Sequence, residues 1–222
     1  DAFRYFLLRE VPFGQDGDFS REALIGRINS DLANGLGNLL TRTVTMIERY
    51  CGGKIPPAHV GWEEHGNTLE HAVSQSAQQM EEWLSSLQFH RALESIWNVI
   101  QTADQYVESQ QPWRLAKDQS NKVRLEQVLY RLAQTLQLVA YHLSPFMPDT
   151  AQEILSQLGV SSEAENLPQW NGLIVGTEVK KGASLFPRVE PTSPQGAKTV
   201  SDPSTSSSSS PSVAASASTS PP

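Results

Sequence analysis

The chain has 222 residues, 38% of them hydrophobic and 18% charged, the size of one ordinary globular domain. Its 17 basic and 24 acidic residues leave a net charge of −7, which excludes a histone-like or generally basic nucleic-acid binder. Cys51 stands alone, so an intrachain disulfide framework and a cysteine-based zinc site are excluded too.

From Pro191 onward the last 32 residues hold 12 Ser and 6 Pro, with Val200 and Val213 the only large aliphatic side chains. Such a stretch cannot bury enough apolar surface to offset its ordering entropy, so 191–222 is expected to be a disordered tail and 1–190 the folding unit. No apolar run approaches the roughly 18 residues that span a bilayer, and the N-terminus lacks a basic region followed by an apolar stretch and a cleavage site. With a single cysteine, the expectation is a cytoplasmic chain with no membrane partner. The chain opens on Asp1 rather than Met, directly on a helical pattern, and a further segment is expected upstream.

In chain order, Asp1 to Arg9 reads as a short amphipathic helix stopped by Pro12, and the Gly14 to Asp18 stretch has turn chemistry. Ser20 is the expected N-cap of a long helix with Glu22 in its first turn. Leu24, Ile28, Leu32, Leu36, Leu39 and Ile47 recur at helical spacing until Gly52 and Gly53. This makes about 30 residues in one helix, or two with a kink near Gly35 and Gly37. After a loop with Pro56, Pro57 and Gly66, Leu69, Val73, Ala77, Met80 and Leu84 mark a second bundle helix. Phe89, Leu93, Ile96, Trp97, Ile100 and Val107 mark a third, which Pro112 must end. Val128, Leu129, Leu132, Leu136, Val139 and Leu143 mark a fourth, closed by Ser144 to Pro148, and a short fifth runs around Thr150 to Leu158. No strand alternation competes and no internal repeat is present, so the fold class is all-α, an antiparallel helical bundle.

On the long helix Asp31, Asn34, Asn38 and Arg42 follow at spacings of three, four and four, which predicts one polar stripe. Asn38 offers donor and acceptor groups and Arg42 a planar fork of donors, a pairing suited to nucleobase edges. Taken alone, such a stripe is what any amphipathic helix presents to solvent. Trp113, just past the helix ended by Pro112, is expected on an exposed, rigid perch where a base could stack, with Arg114 and Lys117 near enough to meet phosphates. The alternative is a core tryptophan capping the bundle end, as Trp97 is expected to be core on the apolar stripe of its own helix.

The other candidates lack positioning. His59, His65 and His71 are spaced by six, which scatters them around a helix, and no cysteine joins them, so no metal site is expected. Asp16 with Asp18 and Glu63 with Glu64 are carboxylate pairs of the kind that turns solvate. A phosphate-binding glycine loop and a serine nucleophile elbow are both absent, and no residue of the chain is expected to be catalytic.

The opening run from Asp1 to Ser20 (DAFRYFLLREVPFGQDGDFS) and the run from Arg27 to Arg42 (RINSDLANGLGNLLTR) resemble the C-terminal part of bacterial-type methionyl-tRNA synthetases nearly residue for residue. The runs Gln111 to Lys117 (QPWRLAK), Leu143 to Thr150 (LSPFMPDT) and Ser184 to Glu190 (SLFPRVE) are similar to the same family in the same order. The resemblance covers the chain from its first residue to about Glu190. It implies a methionine-tRNA ligase whose catalytic domain, with ATP and magnesium, lies upstream. This piece would hold no cofactor and bind the CAU anticodon loop of tRNA(Met). Implied boundaries are 1–19 for the end of a stem-contact segment, 20–190 for the helical anticodon-binding domain and 191–222 for the tail.

In the family an Asn, an Arg four residues later and a Trp after a Pro recognise the anticodon; the matching positions here are Asn38, Arg42 and Trp113. Arg49, Arg114 and Lys117 are weaker candidates for RNA backbone contacts. The chain departs from the family in lacking its His-Ile-Gly-His and Lys-Met-Ser-Lys-Ser signatures and the cysteine-bound zinc insertion of some members. The tail is unlike the additional C-terminal domain of some relatives. Phe3, Phe6 and Leu7 are expected to be exposed for want of a neighbour. The rival readings are an anticodon bundle of another class I synthetase, such as those for leucine, valine or cysteine, and a helical protein-docking module.

Overall fold

The structure, a computed structural model, describes residues 1–17, 19–59, 67–161 and 169–190. Asp18, His65 and the Glu63–Glu64 pair, like the whole Ser- and Pro-rich stretch from 191, lie outside the described residues. Among the described residues eight α-helices follow in order: α1 (Ala2–Glu10), α2 (Arg21–Arg27), α3 (Asn38–Cys51), α4 (Asn67–Ser85), α5 (Phe89–Gln110), α6 (Pro112–Leu115), α7 (Lys122–Leu143) and α8 (Pro148–Gln157). Among the described residues the only β-type pairing is an isolated antiparallel bridge between Lys54 and Glu178.

The long helix is one continuous rod with a change of winding inside it. Ser20 caps its start, its hydroxyl accepting from the Ala23 amide at 3.0 Å. From Ile28 to Gly37 the backbone is π-helical, and the Asn38 amide reaches back to the Ala33 carbonyl, five residues earlier. Gly37 permits this winding, because a Cβ there would sit 3.0 Å from the Leu32 carbonyl oxygen. Of the two alternatives, one helix or two with a kink near Gly35 and Gly37, the structure takes the single helix, with a π-helical segment at the glycines. Gly52, at φ 64°, ends the rod in the left-handed conformation that a glycine adopts without strain.

α7 is the axis of the bundle. Its side chains are buried almost all the way round from Leu125 to Ala140, and α3, α4, α5, α6 and α8 pack around it. α4 and α5, joined by three residues, form the most extensively packed antiparallel pair. Leu36, Leu39, Val44, Ile47, Ile96, Ile100, Leu129, Leu132, Leu136 and Ile154 meet in one core, which includes Trp97, 7% exposed.

α1 is bonded into this bundle rather than trailing from it. The Asp1 carboxylate accepts from the Thr150 amide at 2.7 Å and from its hydroxyl at 2.9 Å, capping the first turn of α8 from another part of the chain. Arg4 donates to the carbonyls of Phe146 and Pro145. Phe3 and Leu7 are exposed, at 53% and 46%, as expected. Phe6 is not: it is 2% exposed, because Phe19 folds back edge-on against it at 5.6 Å between ring centroids. Phe19 thus covers part of the face that α1 leaves open.

Candidate nucleic-acid interface

The polar stripe divides in two where the winding changes. Asp31 turns inward and accepts from the Tyr5 hydroxyl at 2.8 Å, from Arg27 at 3.2 Å and from Ser30 at 2.7 Å. Asn34 accepts from both Nη2 and Nε of Arg188, at 2.7 and 3.3 Å. Asn38 opens α3 exposed, and Arg42 follows one turn later, half-buried. Asn38 thus faces solvent with Arg42 half-buried beside it, while Asp31 and Asn34 hold α1 and the C-terminal segment.

Arg42 is fixed from two sides. Its Nη2 donates to Glu108 Oε1 of α5 at 2.7 Å, and its Cζ lies 5.7 Å from the centre of the Trp113 ring. α3, α5 and α6 thus bring Arg42, Glu108 and Trp113 together across separations of up to 71 residues in sequence. The stage for Trp113 is set by Gln111, which ends α5 at φ 47°, in the left-handed region, without being glycine. A backbone held there stores of order 1 to 3 kcal/mol, and it is retained by the Gln111 amide on Val107 and the Arg114 amide on Gln111, at 3.0 and 2.7 Å. Pro112 then starts α6, and Trp113 lands half-buried against the core. The expected exposed perch is corrected by this geometry: Trp113 is partly buried, packed against the core and partly accessible.

Asp104, one turn before Glu108 on α5, completes the cluster. Burial pushes its carboxyl up to about 6 against the pull of nearby Arg42, with the Glu108 charge adding to the rise. One of its oxygens, Oδ1, is buried without a hydrogen-bond partner. Arg114 and Lys117 are exposed just beyond Trp113. Arg49 lies seven residues after Arg42, on the same side of α3, with its guanidinium 5.6 Å over the Tyr50 ring. Asp104, Glu108 and Arg188 carry no sequence motif of their own; the i, i+4 carboxylates before Pro112 were the one available signal for the first two.

The remaining polar groups do not assemble into a reactive centre among the described residues. His59 pairs with Glu126 at 2.8 Å, His71 is exposed on α4, and no group of three or more His, Cys, Asp or Glu is placed to hold a metal. Burial and the Glu126 charge push the Cys51 thiol up to about 11, which keeps it out of the thiolate form at neutral pH. No described helix is long and apolar enough to cross a membrane.

An all-α bundle that holds a guanidinium against an indole, with an exposed amide four residues away on the same helix, offers the kinds of group that meet unstacked bases. Residues 1–44 match the family model described as tRNA synthetases class I (M), and residues 56–195 match the anticodon binding domain of methionyl tRNA ligase. The chain belongs to the methionyl-tRNA synthetase family. It is 49% identical over 195 residues to the methionine–tRNA ligase of Caldanaerobacter subterraneus subsp. tengcongensis and 44% over 191 residues to that of Clostridium acetobutylicum. Each match covers 86% of this chain and 30% of the relative. Among solved structures, the apo form of Mycobacterium tuberculosis methionyl-tRNA synthetase superimposes with a TM-score of 0.79 at 34% identity, covering 86% of this chain and 39% of that one. The chain therefore spans about a third of the length of the relatives it matches.

Proposed function

We propose that this chain is the anticodon-recognition end of a methionine-tRNA ligase, in which Trp113 stacks on a base of the CAU loop of tRNA(Met) while Asn38 and Arg42 read base edges. The observation that carries the reading is the Arg42 guanidinium held between Glu108 and the Trp113 ring, one helical turn from an exposed Asn38. An aromatic platform beside a donor fork and an amide is what a splayed single-stranded loop requires, since unstacked bases expose both π-faces and pairing edges. Glu108 engages one edge of the fork, which orients Arg42 before RNA arrives; the other guanidinium nitrogens remain as donors. Arg49, Arg114 and Lys117 serve the backbone of the same loop.

In this reading 1–19 is the end of a stem-contact segment, 20–190 the anticodon-binding domain, and 191–222 an appended tail. Methionine activation with ATP and magnesium belongs to a catalytic domain outside this chain, and none of its steps is assigned to residues here. The partner is tRNA in the cytoplasm, with neither DNA nor membrane involved.

The test is binding of tRNA(Met) against a one-base anticodon variant, with Asn38→Ala, Arg42→Ala and Trp113→Ala alongside. Loss of one stacked base removes about 1 to 3 kcal/mol, roughly 5- to 150-fold in affinity for Trp113→Ala. All three variants should keep their helical content and lose discrimination. Retained discrimination in folded variants would remove the site assignment.

A further inference from the structure

The run Ser184 to Glu190 has no part in the reading above, yet the fold lays it across the helix that carries Asn38. The segment is pinned at both ends. Leu185 and Phe186 pack against the core, and Val189 exchanges two hydrogen bonds with Asn29, its amide on Oδ1 at 2.9 Å and its carbonyl receiving Nδ2 at 2.9 Å. Between these anchors Arg188 is exposed, its guanidinium held by two hydrogen bonds to the Asn34 side-chain oxygen. Asn34 lies four residues before Asn38 on the same rod, in its π-helical stretch.

Three arginines of the unit are neutralised by carboxylates. Arg42 is paired with Glu108, Arg27 with Glu10 and Asp31, and Arg9 with Glu94. Arg188 forms no ion pair among the described residues; its partner is a neutral amide, which orients the fork and leaves the positive charge uncompensated. Asp31, three residues before Asn34, is already taken up by Arg27, Tyr5 and Ser30. In a chain of net charge −7 that must accept a polyanion, an oriented and uncompensated guanidinium beside the recognition pair is where a phosphate would settle.

We infer that Arg188, presented by the Ser184–Glu190 segment and aligned by Asn34, binds a backbone phosphate of the same RNA whose bases meet Asn38 and Arg42. The inference rests on the anticodon reading and adds to it a contact that positions the strand without reading its sequence. Asn34 is then a positioning residue.

The test is the salt dependence of tRNA(Met) binding for the unmodified chain, Arg188→Gln, Arg188→Lys and Asn34→Ala, with a one-base anticodon variant as comparison RNA. One lost phosphate contact flattens the slope of log affinity against log salt by about 0.7 to 0.9. Raising salt fourfold should therefore weaken the unmodified chain about threefold more than Arg188→Gln. The ratio between cognate and variant RNA should be unchanged in Arg188→Gln. Arg188→Lys should retain the slope, and Asn34→Ala should lose affinity but keep the slope, since the charge remains. An unchanged slope in Arg188→Gln, or the same behaviour from Arg188→Gln and Asn34→Ala, overturns the phosphate contact and leaves Arg188 a structural pin. That result would leave the Asn38, Arg42 and Trp113 assignment intact. Failure of the unmodified chain to distinguish the two RNAs would instead bring down the anticodon reading and this inference with it.

Discussion

Replacing Tyr5 by Phe deletes one oxygen and keeps the ring, which lies 4.4 Å from Trp97 between centroids. The hydroxyl is fully buried and donates to the Asp31 carboxylate at 2.8 Å. Hydrogen bonds to charged acceptors stabilise by about 1.5 to 3 kcal/mol. Asp31 keeps Arg27 at 3.2 Å and Ser30 at 2.7 Å, so the carboxylate is not stripped of partners and the loss belongs at the lower end, about 1.5 kcal/mol. In a unit of this size each kcal/mol moves Tm by about 2 to 4 °C, which gives a fall of roughly 3 to 6 °C. The pH dependence supplies a second handle. Burial first, and then the Asp31 charge and hydrogen bond, hold the Tyr5 phenol protonated far above its ordinary range. An acid whose pKa is higher folded than unfolded stabilises fully below the unfolded value, about 10, and loses that contribution as pH rises beyond it. Thermal melts followed by circular dichroism should show a gap between the two proteins that is constant from pH 7 to 9 and narrows above pH 10. Coincident melts at pH 7, or a gap that does not change above pH 10, would refute the account of α1 as bonded through a buried charge-assisted hydrogen bond.

Two further perturbations probe other parts of the unit. Asp104 titrates near 6 when folded, against an ordinary 3.8, so its contribution to stability is greatest below pH 3.8 and is lost as pH rises through 6. Asp104→Asn should therefore raise the urea midpoint at pH 7.5 and flatten its decline between pH 4 and 6; a lower midpoint at pH 7.5 would contradict this. Gly159 and Gly52 both have positive φ, 71° and 64°, but a Cβ at Gly159 falls on the Glu178 carbonyl oxygen whereas at Gly52 it meets open space. Gly52→Ala should cost about 1 kcal/mol from the dihedral alone, and Gly159→Ala clearly more, in urea unfolding. Equal losses would show that the 176–179 segment yields without resistance.

The helices were legible because each buries one stripe at the 3.6-residue period, and their ends because Ser20, Gly52 and Pro112 act within a residue or two of where they stand. α7 was legible as a helix but not as the axis, since a helix buried all round differs from an amphipathic one only in what surrounds it. The π-helical winding was not legible. Gly35 and Gly37 mark a weak point, but which way the backbone yields depends on what packs there. The split of the stripe followed from that same gap: equal spacing on paper placed Asp31 and Asn34 with Asn38 and Arg42, whereas Tyr5 and Arg188 occupy the first two. Trp113 was found through its position after Pro112, while Glu108, which holds Arg42, is 66 residues away from it and has no local signature. Phe6 was misplaced for the same reason, its cover being an aromatic 13 residues further on rather than a neighbour on its own helix.

The bonds between the Ser184–Glu190 segment and the first bundle helix bridge 154 to 160 residues of chain. Contacts this distant in sequence close late, because almost the whole unit must be ordered before they form. During synthesis the stretch carrying Asn29 and Asn34 leaves the ribosome more than 150 residues ahead of its partners. A nascent or truncated chain can build most of the bundle core without them. The tie from Asn34 to Arg188 therefore forms only once the whole of the bundle between them has been made.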